Sequence, residues 1–239
     1  MGRQFTASSS QSLLATSAVV SGFPVTIACW AYPTDDTIVC TLIGVGSSTT
    51  NHNAVLDIAG TVANNPFRCG CRGNITAGSS NIDNPSFNTW SHFCGVFAST
   101  TSRTAYLNGT AGTTNTTDVG TPSWDRTGIG ATYRSDFSPA VNYMSGYICE
   151  AAIWNVALGA TEISLLAAGM NPLRSASRAN LVQYWLNAAL VGQASPEPSL
   201  VASGGVSLSL VNAPSVDATF PATMGGLPSV FTPGIAFAA

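Results

Sequence analysis

The chain of 239 residues contains no lysine; all eight basic residues are arginine, and charged residues of both signs make up only 8% of it. With a net charge of -3, it lacks the electrostatic footprint needed to follow a phosphate backbone, which argues against nucleic-acid binding. A charge-driven membrane contact is excluded on the same ground. Ser, Thr and Asn must then supply most of the surface polarity. Long apolar runs are also missing, and the most apolar part of the C-terminal sequence is broken by Pro221, Pro228 and Pro233, so no membrane-spanning helix is expected. The opening MGRQFTASSSQSLLA has neither the basic start nor the continuous apolar stretch of a secretory signal. Synthesis in the cytoplasm is expected, with exit, if any, by lysis or inside an assembly.

Histidine and glutamate are also scarce, at two and three residues. His52 and His92 are isolated from each other, and His92 reads as a strand histidine with a satisfied hydrogen bond rather than a base, so no Ser-His-Asp nucleophile is expected. Six cysteines occur, but Cys69-Gly70-Cys71 is their one close pair, whereas a structural zinc site usually shows two pairs, or one pair with spaced histidines. Cys29, Cys94 and Cys149 fall in strand-like runs and are expected to be buried, reduced thiols. A bridge involving Cys40, Cys69 or Cys71 stays open. Asn-x-Ser/Thr triplets at Asn74, Asn108 and Asn115 would matter only in a protein secreted by a eukaryote.

What is present is about a dozen strand-like runs punctuated by Gly, Pro, Asn, Ser and Thr, without an internal repeat and with 45% hydrophobic residues to fill one core. Asn108-Gly109 is a type I′ hairpin signal. The segment from Asn142 to Trp185 is the most specific. In YICEAAIW, Ile148, Ala152 and Trp154 alternate against Tyr147, Cys149, Ala151 and Ile153, so the strand is expected to be covered on both faces. Gly159 and Glu162 have the spacing of a capping box, and Gly169 with Pro172 supplies a stop, predicting a short helix near 160–168 with Ile163 and Leu166 on its buried face.

This segment, with TIACWAYP (26–33), NTWSHF (88–93) and YLNG (106–109), resembles the laminin G-like, concanavalin A-like jelly-roll family, whose members show similar motifs in the same order. The resemblance implies an all-β, two-sheet antiparallel sandwich over residues 1–217, with Cys29, Trp30, Phe93, Cys94, Ile148, Ile153 and Trp154 largely buried. It also implies that Glu150 occupies an acidic strand position with a structural role. LVQYW, PEPSL and VNAP are further similar to the closing segment of such domains in tailed bacteriophages, with Ser199 in place of an aspartate. Some members of this architecture are glycoside hydrolases, which need two carboxyl groups about 5 to 9 Å apart. The three glutamates, Glu150, Glu162 and Glu197, do not form the E-x-D-x-x-E of the jelly-roll glucanases, and the chain is read as a non-enzyme that needs no cofactor. Many laminin G-like domains hold one calcium ion, for which Asp35, Asp36, Asp57, Asp83, Asp125 and Asp136 are the available donors. They equally suit turn formation.

Residues 218–239, ATFPATMGGLPSVFTPGIAFAA, carry no charge. Such a composition is unlike a solvated disordered tail, and its prolines oppose helix through most of it. An extended arm is expected, docking Phe220, Met224, Leu227, Phe231, Ile235 and Phe237 on a neighbouring protein in a multi-copy shell. These readings lead to a structural virion protein on the capsid surface, a decoration subunit in contact with the major capsid protein or other virion subunits. The alternative is a glycan-binding module of a tail or fibre that uses the loop aromatics Trp124, Tyr133 and Tyr143.

Overall fold

The computed structural model describes residues 2–17, 19–185 and 209–211. Two antiparallel sheets carry the fold. Sheet A contains β1 (Arg3–Phe5), β3 (Val25–Pro33), β8 (Ser91–Ser99), β9 (Ser102–Leu107), β10 (Thr110–Ala111), β14 (Gly146–Trp154) and β15 (Leu181–Trp185). Their order is β1-β14-β3-β8-β9-β10, and β15 also pairs with β14. Sheet B contains β2 (Ser12–Ala15), β4 (Val39–Gly46), β5 (Asn53–Ala59), β6 (Phe67–Arg72), β7 (Ala77–Ile82), β11 (Arg126–Ile129) and β16 (Ser209–Val211). It runs in the order β16-β2-β11-β4-β5-β6-β7, and β12 (Thr132–Arg134) and β13 (Phe137–Val141) form a separate two-stranded sheet. The expected all-β sandwich is what the chain forms. The boundary expected after residue 217 and the arm residues Phe220, Met224, Leu227, Phe231, Ile235 and Phe237 lie outside the described residues.

Period-two alternation builds the core. In β6, Phe67, Cys69 and Cys71 are buried while Arg68, Gly70 and Arg72 are partly exposed. The inward set meets Ile27, Cys29, Phe93, Phe97 and Ile153 of sheet A, with Phe67 edge-on to Phe93 at 4.9 Å. All six cysteines are buried, free thiols. Burial pushes the thiol pKa of every one upward, Cys40 to about 11 and Cys71 to about 12, so they behave as small apolar groups rather than nucleophiles.

A second apolar layer lies on the outer side of sheet A, where Ala28, Cys94, Val96, Ala152, Trp154 and Tyr184 pack against Ile163 and Leu166 of α1 (Ala160–Ala167). The helix stops as its sequence predicts. Gly169 adopts φ +95, and the N–H groups of Gly169 and Met170 reach the carbonyls of Leu166 and Leu165, the left-handed ending that glycine permits. Its start differs from expectation. Gly159 has no side chain to cap with, and the Glu162 carboxylate instead accepts from the backbone N and Oγ of Ser177 at 2.7 and 2.8 Å. It thereby ties α1 to the turn before β15.

β14 departs from simple alternation. Glu150 adopts φ +53 and the register with β3 shifts between Cys149 and Ala152, a β-bulge. Ile148 therefore joins Ala151 and Ile153 in the core between the sheets, not Ala152 and Trp154 under the helix. Trp30, expected to be buried, is only partly so, because it sits on the outer side of β3 beyond the reach of α1.

Sheets A and B close on each other at the β7 and β9 margin. The Ala105 N–H of β9 donates to Ser80 Oγ of β7 at 2.9 Å, and Ser80 Oγ donates to Thr113 O at 2.7 Å. The side chain of Arg103 is fully buried there, donating to Asn115 Oδ1 and to the carbonyls of Thr100 and Thr117, both at 2.6 Å. It fits because residue 78 is glycine; a Cβ there would stand 2.3 Å from Arg103 Nη1. Among the described residues no helix is long and apolar enough to cross a membrane.

Candidate functional site

The three aromatics first read as loop residues do not gather into one exposed face. Trp124 is buried, 4% exposed, with its ring edge-on to Phe23 at 5.4 Å; it is part of the core, so the expectation that it faces a ligand is corrected. Tyr133 is partly exposed and spends its phenol on Ser12 Oγ at 2.6 Å. Tyr143 is partly exposed.

The carboxylates considered for calcium are also dispersed. Asp35 accepts from the N and Oγ1 of Thr37 in a local turn, and Asp125 accepts from the N and Oγ of Ser48. Asp57 takes a two-pronged contact from Arg68 at 2.6 and 2.9 Å; Asp136 pairs with Arg134 at 2.6 Å. Asp83 accepts from Asn64 Nδ2 at 3.4 Å, while Asp36 is exposed. No group of three or more His, Cys, Asp and Glu side chains converges among the described residues. Glu150, at the bulge, accepts from the Tyr184 hydroxyl, and Asn171 Nδ2 donates to the same hydroxyl at 3.3 Å. Burial pushes the Glu150 pKa up, while the Tyr184 hydrogen bond opposes that rise.

The grouping that does stand out covers the half of sheet A's outer side left bare by α1. Strand register places side chains there in transverse rows, because partners across an antiparallel pair share a face. Tyr147 is opposite both Gln4 and Tyr32, and one step past the Ala31 and Ser91 pair brings Trp90 beside Tyr32. The row Gln4, Tyr147, Tyr32, Trp90 thus crosses four chain segments. Its rings touch, Tyr32 lying 5.8 Å from Tyr147 and 5.9 Å from Trp90 with interplanar angles of 67° and 59°. The next row is Cys149, Trp30 and His92, extended by Asn108, whose N–H donates to His92 O and whose Oδ1 accepts from His92 N, both at 2.8 Å. Trp30 and His92 meet edge-on at 5.5 Å.

Trp30, Tyr32, Trp90 and Tyr147 are all partly exposed, while His92 beneath them is 3% exposed. Burial pushes the His92 pKa down to about 4, so the imidazole is neutral at pH 7. Trp90 rests over Gly2, where a Cβ would meet its ring at 2.5 Å. Exposed Asn88 and Asn108 border the patch. The result is four aromatic rings on one sheet face, where flat apolar surfaces of a polar molecule can stack. Sequence reading missed this patch because it took each ring as a strand motif. The signal was the alternation in CWAYP, which puts Trp30 and Tyr32 on one face with Cys29 and Ala31 on the other.

Comparison with solved structures finds the same architecture in several proteins. A candidate carbohydrate-binding protein from Bacteroides ovatus superposes with a TM-score of 0.59 at 16% identity, covering 90% of this chain and 61% of that one. The heptameric SAP-like pentraxin of Limulus polyphemus gives a TM-score of 0.53 at 15% identity, over 66% of this chain and 75% of that one. The CBM40 of the Ruminococcus gnavus IT-sialidase, bound to α2,3 sialyllactose, gives 0.51 at 13% identity, over 62% of this chain and 84% of that one. At such identities the likeness is one of fold. No curated protein matches the chain in sequence. A family profile does match, across residues 6–164, the stretch that holds all four aromatic rings of the patch, both sheets' central strands and most of α1. The chain belongs to the concanavalin A-like lectin/glucanases superfamily.

Proposed function

We propose that the protein is a non-catalytic glycan-binding domain whose ligand lies on the aromatic half of sheet A's outer side. The observation that carries this reading is the partly exposed row Tyr147, Tyr32 and Trp90 beside Trp30, with Tyr32 in ring contact with both of its row neighbours. Pyranose rings present C–H faces that stack on such side chains. The fold shared with a sialyllactose-bound module supports the reading. Titration of the full chain with a panel of oligosaccharides should find a binder. Tyr32→Ala and Trp90→Ala should each weaken it by about tenfold or more, since losing one anchor ring costs on the order of 1.4 kcal/mol or above. Binding unchanged in both variants would place the sugar elsewhere.

A structural role on a phage particle, at the capsid surface, is the second reading. It is favoured by the uncharged sequence 218–239 with Phe220, Phe231 and Phe237 and by the closing motifs similar to those of phage domains. Each buried Phe contributes roughly 1.5 to 3 kcal/mol. Truncation after Asp217 is therefore expected to leave a folded sandwich that no longer joins particles; equal incorporation of the truncated chain would remove the argument for this role.

A further inference from the structure

The rings of the patch touch, but the touching pairs are steeply inclined to each other. Tyr32 stands at 67° to Tyr147 and at 59° to Trp90, and in the next row Trp30 stands at 63° to His92. Tyr147 and Tyr32 are register partners on β14 and β3, which sets their side chains beside each other on one face. Rings brought that close settle edge against face, because the positive rim of one meets the negative face of the other. Trp90 also rests against Gly2, where a Cβ would stand 2.5 Å from its ring, and this second contact resists its turning flat. Tyr32 is therefore a partition between its row neighbours rather than a continuation of their surface. Towards α1 the patch ends where Ile163 and Leu166 cover Ala152 and Trp154 of the same sheet face.

We infer that the patch recognises a soluble glycan through one pyranose unit, and does not take flat ribbons of coplanar units such as the chains exposed on crystalline cellulose or chitin. This rests on the glycan-binding reading and adds the form of ligand that the site accepts. Stacking requires the C–H face of a sugar to lie parallel to a ring. A unit stacked on Tyr32 meets Tyr147 or Trp90 only along its edge, and a unit stacked on either neighbour meets Tyr32 in the same way. Successive units of an extended ribbon nearly share one plane, so the second cannot stack on a ring turned by 59° or 67° from the first. To reach from Tyr147 to Trp90 the ribbon would have to cross the inclined ring between them. Added chain length thus brings no further stack, whereas a coplanar platform would raise affinity roughly two- to tenfold for each added ring.

The test titrates the full chain with cello-, chito- and malto-oligosaccharides from disaccharide to hexasaccharide, and measures adsorption to microcrystalline cellulose and chitin. In any series that binds, affinity per sugar unit should stay within about twofold from the shortest member to the longest. Tyr32→Ala should lower it by about tenfold or more at every length, and neither solid should retain the unsubstituted chain better than this variant. Trp90→Ala repeats the measurement on a second ring should Tyr32→Ala fold poorly. A steeper climb with length, or adsorption to either solid, lost on ring substitution, overturns the one-unit contact while leaving the patch as the site. Such a climb confined to the malto series would mean a coiled chain that turns with the rings. Binding indifferent to both ring substitutions, or absent from every series, overturns the site itself and the one-unit contact with it.

Discussion

Replacing Arg103 by methionine is expected to lower folding stability by about 2–4 kcal/mol, a large share of what a single domain possesses. The side chain is fully buried, and its guanidinium bridges Asn115 Oδ1 and the carbonyls of Thr100 and Thr117. Burial disfavours the charge and lowers the Arg103 pKa, so some of the lost hydrogen bonding is offset by relief of desolvation. Hydrogen bonds from a charged donor are each worth roughly 1.5 to 3 kcal/mol, which leaves a net loss. Arg103→Lys should recover little, because a single ammonium cannot span three acceptors that a planar fork reaches at once. Urea denaturation of the three proteins measures this directly. If methionine is tolerated without loss, the margin between β7 and β9 is held by Ser80 without need of the guanidinium.

The second large effect is acid destabilisation through His92. The ordinary histidine value of 6.5 falls to about 4 in the folded chain because of burial, and Nδ1 has no hydrogen-bond partner among the described residues. A folded pKa below the unfolded one means that the unfolded chain binds the proton first. Stability from this group is therefore complete above pH 6.5, declines as pH falls, and is exhausted near pH 4, with a total on the order of 3 kcal/mol. Glu150 acts in the opposite sense. Its pKa is raised by burial above 4.5, so the folded chain holds that proton more tightly and stability decreases as pH rises from 4.5 through the folded value. Separating the two requires a variant. His92→Gln should flatten the acid side between pH 6.5 and 4 in thermal melts, and an unaltered pH profile would show that the imidazole does not remain buried and neutral.

Much of the fold was legible because alternation and turn residues report local geometry directly. The stop at Gly169, the hairpin at Asn108-Gly109, where both residues adopt positive φ, and the inward placement of Cys29, Phe93 and Ile153 follow from such signals. Ile148 was assigned to the wrong face because one inserted residue, invisible to a period-two count, resets the alternation at Glu150. Trp30 was expected inside because strand alternation and the family resemblance pointed there, yet it stands on the outer side of β3 outside the apolar layer that α1 covers. The candidate site was harder still. Tyr147, Tyr32 and Trp90 come from distant segments, and only strand register makes them neighbours. Trp124 misled in the opposite direction: flanked by Ser123 and Asp125 it looks like a loop residue, but Phe23 receives its ring in the core.

The bulge in β14 also constrains how this sequence can change length. Strands in most sandwiches accept insertions at their loops and resist them inside, but here the strand interior already contains one surplus residue. Removing Glu150 would shorten the chain by one and restore an unbroken pleat, which on paper regularises the ladder with β3. The same deletion would turn over everything on one side of it. Either Ile148 would leave the core between the sheets, or Ile153 would rotate outward while Trp154, wholly enclosed under α1, would be driven inward against Phe97 and its neighbours. A residue that seems superfluous to pairing is thus the frame marker that lets a single strand serve two apolar layers on opposite faces.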